Sequence, residues 1–600
     1  MLLKSRTRVL TFLIILISGI IIFILGLGST GLVDETPPLF ASAGRAMSES
    51  GDWLTPKVNG IYRFDKPPLI YWLMGFFYSL PKNQIWDNLG AMSARLPSAL
   101  ASLTLMLMIG DTLYSWPQKV FRKEIAPIIA SFSFALSPLV IIWSRTAVSD
   151  ALLCGTLGIS LLLFWRRMAS YKDQKCISPW IFLGLAILTK GPVALVLAIL
   201  TITLYLFSQK NWKILYSKIN PKLGLFIASL ISLPWYILEL IKEGKPFWDS
   251  FFGYHNFQRY TSVVNNHSEP FWFFIYIMIL GSLPFTPFLF HGILEALKDL
   301  LKNLRSDRHS SETLFIFSLC WLGAVFIFFS ISATKLPSYW LPATPAAAIL
   351  ISNSFVTQKI ETKSFSFLWA INILILFGLS LSFFFSNQWL NAINDPEMPN
   401  LADNLITSGI IFKARLFFSL FTGIALLLLL LRSRNIFLCI QIFLIIGQSI
   451  LMSPIRKLGD TSRQLPIRDI SELIVNIREG QETLAMIGIR KPSLHFYSRQ
   501  IVFYEPNSEE GLINLSERLE SDRRKNYQDE PNYEYKSLLV VIDKYSSSKK
   551  HWSSINHQKL GKFGIYNLWR IEKSEIKNYS NSLIREGYKS DWESRRVELF

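Results

Sequence analysis

The chain has 600 residues, half of them apolar and 14% aromatic, with only 17% charged. Soluble proteins carry about 25% charged residues, so this composition describes a polytopic membrane protein. The net charge of +18 could suggest nucleic acid, but Lys and Arg fall mostly in short segments between apolar runs. That is the positive-inside pattern of membrane proteins, and nucleic-acid binding is set aside on it.

At the N-terminus, Lys4, Arg6 and Arg8 precede an apolar run from Val9 to Leu27. The run is long enough to span a bilayer and no small-residue cleavage site follows, so an uncleaved first helix is expected rather than a signal peptide. The long loop Gly31–Leu73 comes next, with Asp34 and Glu35 where the chain leaves the bilayer and Lys66 where it returns to the interface. A carboxylate and an ammonium at that depth are costly without a task or a partner. Asp34–Glu35 suits a general base or a cation ligand; the plain alternative is a cap for the helix that includes Phe40–Met47. Lys66, made rigid by Pro67 and Pro68 and followed by Tyr71 and Trp72, could be aimed at a phosphate or could snorkel beside an aromatic belt.

Further spans are expected at about 94–114, 125–144, 149–167, two short ones within 179–207, 222–241, 271–291, 312–332, 339–356, 366–386, 411–431 and 435–453. With 9–29 they make about thirteen, which would put the N-terminus in the cytoplasm and the C-terminus outside. The loops assigned to the inside are basic, as in Arg166/Arg167 and Lys210/Lys213/Lys218, whereas the outer loop 387–410 has neither Lys nor Arg. The unusual junctions then share the outer face: 31–92, Arg145 to Asp150, Lys190, 242–270, and Lys335 to Tyr339. That convergence suggests one site.

Arg145 and Asp150 flank a short turn and are close enough to pair; Asp150 would begin a helix, where its charge suits the dipole. The segment 247–259 is aromatic with His255 and Arg259, and His267 follows. An Arg among aromatics suits a lipid-linked phosphate. Two histidines without a third ligand are a weak metal signal, so hydrogen-bonding roles are preferred. Lys335 and Tyr339, at the lipid–water boundary, can hold a leaving phosphate or anchor the helix. Cys154, Cys176, Cys320 and Cys439 show no metal or redox spacing. No Walker, Rossmann or zinc-protease motif is present.

From about Ser453 the chain turns polar. Strands are expected at Thr483–Ile489, Ile501–Tyr504, Ser537–Asp543 and Phe563–Ile571, with helices at Ile467–Arg478 and Glu509–Ser521. The division is therefore a membrane domain, 1–453, whose outer loop 31–92 carries interfacial helices, and a soluble α/β domain, 454–600. The latter is suited to accessory packing or acceptor binding, with a loosely ordered end over the last 25 residues.

The ordered pieces DET (34–36), SGDW (50–53), KP (66–67), TKG (189–191), LPW (233–235), the FW…FF…H..QR pattern of 247–259, His267 with PFW, GSLP (281–284) and KLPSY (335–339) form a specific set. They resemble the C-type-fold membrane glycosyltransferases that use polyprenyl-phosphate sugars, closest to the lipid A aminoarabinose transferase family and its protein O-mannosyltransferase relatives. The resemblance implies that Asp34 and Asp150 are the acidic catalytic positions and that Lys66, Arg259, Lys335 and Tyr339 bind the donor phosphate. Glu35, Arg145, Lys190, His255 and His267 are accessory candidates. It also implies inverting transfer at the outer face of a bacterial inner membrane to a lipid, glycan or protein acceptor. No certain cofactor is implied; a divalent cation could bridge Asp34 and the phosphate. Pro37-Pro38 stands where the aminoarabinose enzymes usually have Arg-Tyr, and this leaves the acceptor open. The rival class is a lipid or solute transporter or flippase, for which no internal repeat is seen.

Overall fold

The computed structural model describes residues 2–118, 124–170, 177–264, 268–305, 312–357, 363–433, 435–480, 482–521 and 536–596. Among them, eight helices are long and apolar enough to cross a membrane: 6–24, Ala91–Ser115, Ser149–Ala169, 212–243, Leu314–Ile331, 366–384, Ile410–Leu430 and 436–477. Two bent pairs bring the number to at most ten. Each of the thirteen expected windows meets a helix, but several are too short or too bent to count alone. The breaks have local causes. Pro138 ends one helix and opens the next at 64°, and the Gly281–Pro284 stretch turns Phe273–Gly281 against Thr286–Leu304 by 111°. Gly191, at φ +78°, separates Ser178–Lys190 from Pro192–Phe207 and leaves Lys190 at the open end of a helix.

Helix Ser149–Ala169 lies almost wholly buried at the centre and packs on Ala91–Ser115 and Ser178–Lys190. Leu223, Leu225, Phe226 and Leu230 on 212–243, and Phe412, Leu416 and Leu420 on Ile410–Leu430, stay exposed, as lipid-facing side chains would. The outer loop is built from helix Thr36–Ser50, a two-stranded hairpin (β1, Lys57–Val58; β2, Ile61–Tyr62) and the short apolar helix Leu69–Tyr78.

The C-terminal part forms a five-stranded sheet from β3 (Thr483–Ile487), β4 (Val502–Glu505), β5 (Ser537–Asp543), β6 (Gln558–Phe563) and β7 (Tyr566–Glu572), in the order β4-β3-β5-β7-β6. The first three strands are parallel, and β7 pairs antiparallel with both β5 and β6. Successive residues of β3 and β5 alternate between two buried clusters: Ala485, Ile487, Val540 and Ile542 face one, and Leu484, Met486, Leu539 and Val541 the other. Helices covering both faces explain why these strands read as continuous apolar runs. Edge strand β6 has no fully buried residue and mixes Gln and Lys with Leu, Gly and Phe, which hid it from pattern reading. The expected loose end is corrected: helix Lys573–Arg585 buries Ile576, Ser580 and Leu583, and Trp592 is buried beyond it.

Candidate active site

The segment that carries Asp34 is clamped from two sides. From below, Arg95 gives its guanidinium to the carbonyls of Leu27 (2.7 Å), Thr30 (2.8 Å) and Gly31 (2.5 Å). From the C-terminal part, Asp460 accepts from Gly31 N (2.7 Å) while pairing in bidentate fashion with Arg468, and Tyr497 Oη accepts from Leu32 N (3.1 Å). The approach is close: a Cβ on Gly31 would stand 2.2 Å from Arg468 Nη1.

Asp34 continues this seam. Its side chain is 2% exposed. Oδ1 accepts from Ser493 N (2.9 Å) and Oδ2 from Ser493 Oγ (2.5 Å). Lys491 Nζ stands 4.0 Å away, and the Gln464 amide, turned nitrogen towards Asp34, donates to Oδ2 at 3.1 Å. Burial pushes the Asp34 carboxyl up to about 6, against the opposing pull of Lys491 and Ser493. The capping alternative is not realised. Helix Thr36–Ser50 has Glu35 at its N-cap without a side-chain hydrogen bond, and the oxygens of Asp34 go to Ser493 instead. Glu35 is exposed, and its charge bears on Arg490.

A second group gathers around Lys66. Its ammonium donates to the Asp65 carbonyl (2.7 Å) and lies 3.8 Å from the Asp65 carboxylate. That carboxylate also accepts from Arg63 (2.6 Å) and from Tyr71 Oη (2.9 Å). Burial would raise the Asp65 carboxyl, but Arg63, then Lys66 and His255, hold it well below the usual range. For Lys66, burial lowers the ammonium to about 8; Asp65 supports its charge, whereas Arg259, Lys190 and Arg63 oppose it. Asp150, at the first turn of Ser149–Ala169, accepts from Lys190 Nζ at 2.7 Å, with Ser338 beside it. The Lys190 ammonium also lies 5.3 Å above the Tyr339 ring. Lys66, Asp150, Lys190, Arg259 and Tyr339 thus come together from five separate junctions.

The aromatic segments hold this group in place. Phe64, Trp235, Tyr236, Phe247 and Phe251 form one buried cluster, Trp235 Nε1 donates to Leu54 O (2.9 Å) and Tyr236 Oη to Ile187 O (3.1 Å). Residues Trp248–Gln258 wind as a wide-turn π-helix that delivers Arg259 at its end. The Arg259 Nε is buried without a hydrogen-bond partner among the described residues.

The remaining candidates are held differently. Arg145 does not pair with Asp150; it donates to the carbonyls of Ile22 (2.9 Å) and Leu25 (2.8 Å), and Lys190 takes the carboxylate instead. Lys335 gives its ammonium to Ser332 O (2.8 Å), closing the end of Leu314–Ile331. His255 lies near Asp65, and His267 falls outside the described residues. No three His, Cys, Asp or Glu gather to hold a metal among the described residues. Sequence reading missed Arg63, Arg95, Lys491 and Ser493, and gave Tyr71 only a place in an aromatic belt; the adjacency of Asp65 to Lys66 alone signalled a partner nearby.

Between the two groups lies a cleft of about 390 Å³, open solvent included, lined by Leu39, Asn59, Arg63, Arg490, Pro492 and Tyr504 among others. Arg63 belongs to the cleft and to the Lys66 group, and Pro492 precedes the serine that holds Asp34.

Residues 65–237 match the family model for dolichyl-phosphate-mannose-protein mannosyltransferase, and residues 477–587 match the C-terminal domain of the cyanobacterial RgtA-type glycosyltransferases. An undecaprenyl phosphate-alpha-4-amino-4-deoxy-L-arabinose arabinosyl transferase of Proteus mirabilis (strain HI4320) is 29% identical over 385 residues, 62% of this chain and 65% of the relative. An uncharacterized protein of Aquifex aeolicus (strain VF5) is 27% identical over 62% of this chain and 70% of its own length. The match thus spans roughly two thirds of these relatives. The crystal structure of ArnT from Cupriavidus metallidurans bound to undecaprenyl phosphate superposes with a TM-score of 0.73 at 20% identity, covering 93% of this chain and 97% of that one. The chain has the C-type glycosyltransferase fold and is a multi-pass membrane protein.

Proposed function

We propose that this chain, built on the C-type glycosyltransferase fold, transfers a sugar from a polyprenyl-phosphate donor to an acceptor at the outer face of a bacterial inner membrane. The observation that carries the reading is the meeting of Lys66, Lys190 and Arg259 beside Asp150 and Tyr339. Three cations drawn together against their mutual repulsion suit the binding of an anion, and a lipid-borne phosphate fits at the end of membrane helices. The matches to polyprenyl-phosphate-using transferases support the same donor class.

In the proposed inverting step, the acceptor oxygen bonds to the anomeric carbon as the bond from that carbon to the phosphate oxygen breaks. Asp34 takes the acceptor's proton. The electrons of the broken bond leave with the polyprenyl phosphate, whose developing charge is met by Lys66 and Arg259, with Lys190, Lys335 and Tyr339 in support. Asp150 fixes Lys190 through their ion pair. The cleft beside Arg63, Arg490 and Pro492 is the space proposed for the acceptor. The orientation, with the N-terminus in the cytoplasm and the C-terminal part in the periplasm, rests on the loop charges; an alkaline phosphatase fusion at the C-terminus should be active.

The test is mass spectrometry of envelope lipids and glycoproteins from a deletion strain. Wild-type chain should restore a glycosylated species and Asp34→Asn should not. Unchanged envelopes on deletion would overturn the transferase reading, and restoration by Asp34→Asn would overturn the role of Asp34.

A further inference from the structure

The loop 488–493 leaves the carboxyl end of β3. There the chain turns to β4 on one side, while β5 lies on the other, so connections diverge at this point. Open parallel sheets use such a point to bring loop residues to a site. Ile489 N is tied to Asp543 Oδ2 (3.1 Å) at the end of β5, fixing the loop at its root. Its far end carries Lys491 and Ser493 onto Asp34, about 460 residues earlier in the chain.

The contact is more than packing. Ser493 gives Asp34 two donors, one to each oxygen, at 2.9 and 2.5 Å. Lys491 is 3% exposed and ion-pairs with Glu397 of the outer loop, which Arg463 holds in turn (3.2 Å). The charged and titratable groups around Asp34 are therefore Lys491 on the β3 loop, the Glu397–Arg463 pair behind it, Tyr566 at the start of β7, and Glu35 on its own segment with Arg490 nearby. Two donors on a buried carboxylate fix its direction and favour its charged form.

We propose that Lys491 and Ser493 are positioning residues of the transfer reaction, so that the active site is completed by the C-terminal α/β part. This rests on the reading of Asp34 as the base. Burial works against the ionised form of Asp34; Ser493 and Lys491 work for it. Without them the carboxyl would stay protonated nearer neutrality and could not accept a proton.

Two readouts on the full-length protein separate the possibilities. The first needs no substrate: the melting temperature is followed from pH 4.5 to 8.5 for each variant and for the same variant with Asp34→Asn, and the difference reports the midpoint of Asp34. Ser493→Ala and Lys491→Gln should each raise that midpoint, by about one pH unit for a lost charge-assisted contact. Ser493→Thr and Lys491→Arg should restore it. The second readout is product formation in deletion-strain membranes carrying each variant. Ser493→Ala should lose about tenfold at the acid end and recover as the pH rises. If Asp34→Asn abolishes transfer but neither variant moves the midpoint or the acid limb, the positioning role is refuted alone. If Asp34→Asn still transfers, the base reading has failed and the proposal falls with it.

Discussion

Lys66 gives the sharpest single prediction, because its charge is both the proposed phosphate contact and unusually labile. Burial, with Arg259, Lys190 and Arg63 beside it, holds its ammonium at about 8 against a usual value of 10.5. Half of the ligand-free protein should therefore have lost this charge by pH 8, and about a tenth should keep it at pH 9. Affinity for undecaprenyl phosphate, titrated by intrinsic tryptophan fluorescence in nanodiscs, should fall about tenfold per pH unit above 8 until the neutral-lysine affinity is reached. The ligand does not cause this limb, since a phosphate monoester completes its second ionisation near pH 6 to 7, about a unit or more below. Lys66→Arg should flatten the limb up to pH 10, because a guanidinium stays charged there. Lys66→Met should bind at all pH values about as weakly as the wild type at high pH. The sign for stability is opposite. Between pH 8 and 10.5 the unfolded chain holds a proton on this lysine that the folded one has released, so this group makes stability rise with pH in that window. A flat wild-type affinity from pH 7 to 9.5, or an unchanged limb in Lys66→Arg, would refute the reasoning.

Other consequences follow from the same geometry. Arg259→Ala should weaken undecaprenyl phosphate binding by about 10- to 100-fold, the worth of a hydrogen bond to a charged group, with little change in melting temperature; unchanged affinity would assign Arg259 a structural role. Lys190→Met leaves Asp150 an uncompensated buried charge and should destabilise by about 3 kcal/mol. Asp150→Asn in that background should recover most of the loss, and additive losses in the double-mutant cycle would deny the pair. Gly31→Ala drives a methyl group into Arg468 and Tyr497 and should cost about 2 kcal/mol or more, read as a lower melting temperature together with faster proteolysis between the membrane and C-terminal parts.

Membrane residence followed from the amino-acid sequence by itself, because twenty-residue apolar runs and basic loops are set by composition and need no tertiary contact. So did most of the C-terminal strands, whose continuous apolar runs are the mark of a sheet covered on both faces. Lys66, Asp150, Lys190, Arg259 and Tyr339, which meet in space, could be singled out because they stand at helix ends or breaks, where Pro and Gly announce themselves locally.

Only the tertiary structure decided the pairings. Arg145 and Asp150 are five residues apart, yet Arg145 turns to the carbonyls of Ile22 and Leu25 and Lys190 claims the carboxylate, because helix direction rather than chain distance sets reach. Asp34 belongs to the outer loop, but its partners Ser493 and Lys491 come from the C-terminal part. Those residues carry no motif, since a serine or lysine in a polar loop is ordinary until a sheet brings its carboxyl edge to a membrane helix end. Burial then gives Asp34 and Lys66 the perturbed charges on which the proposed chemistry depends.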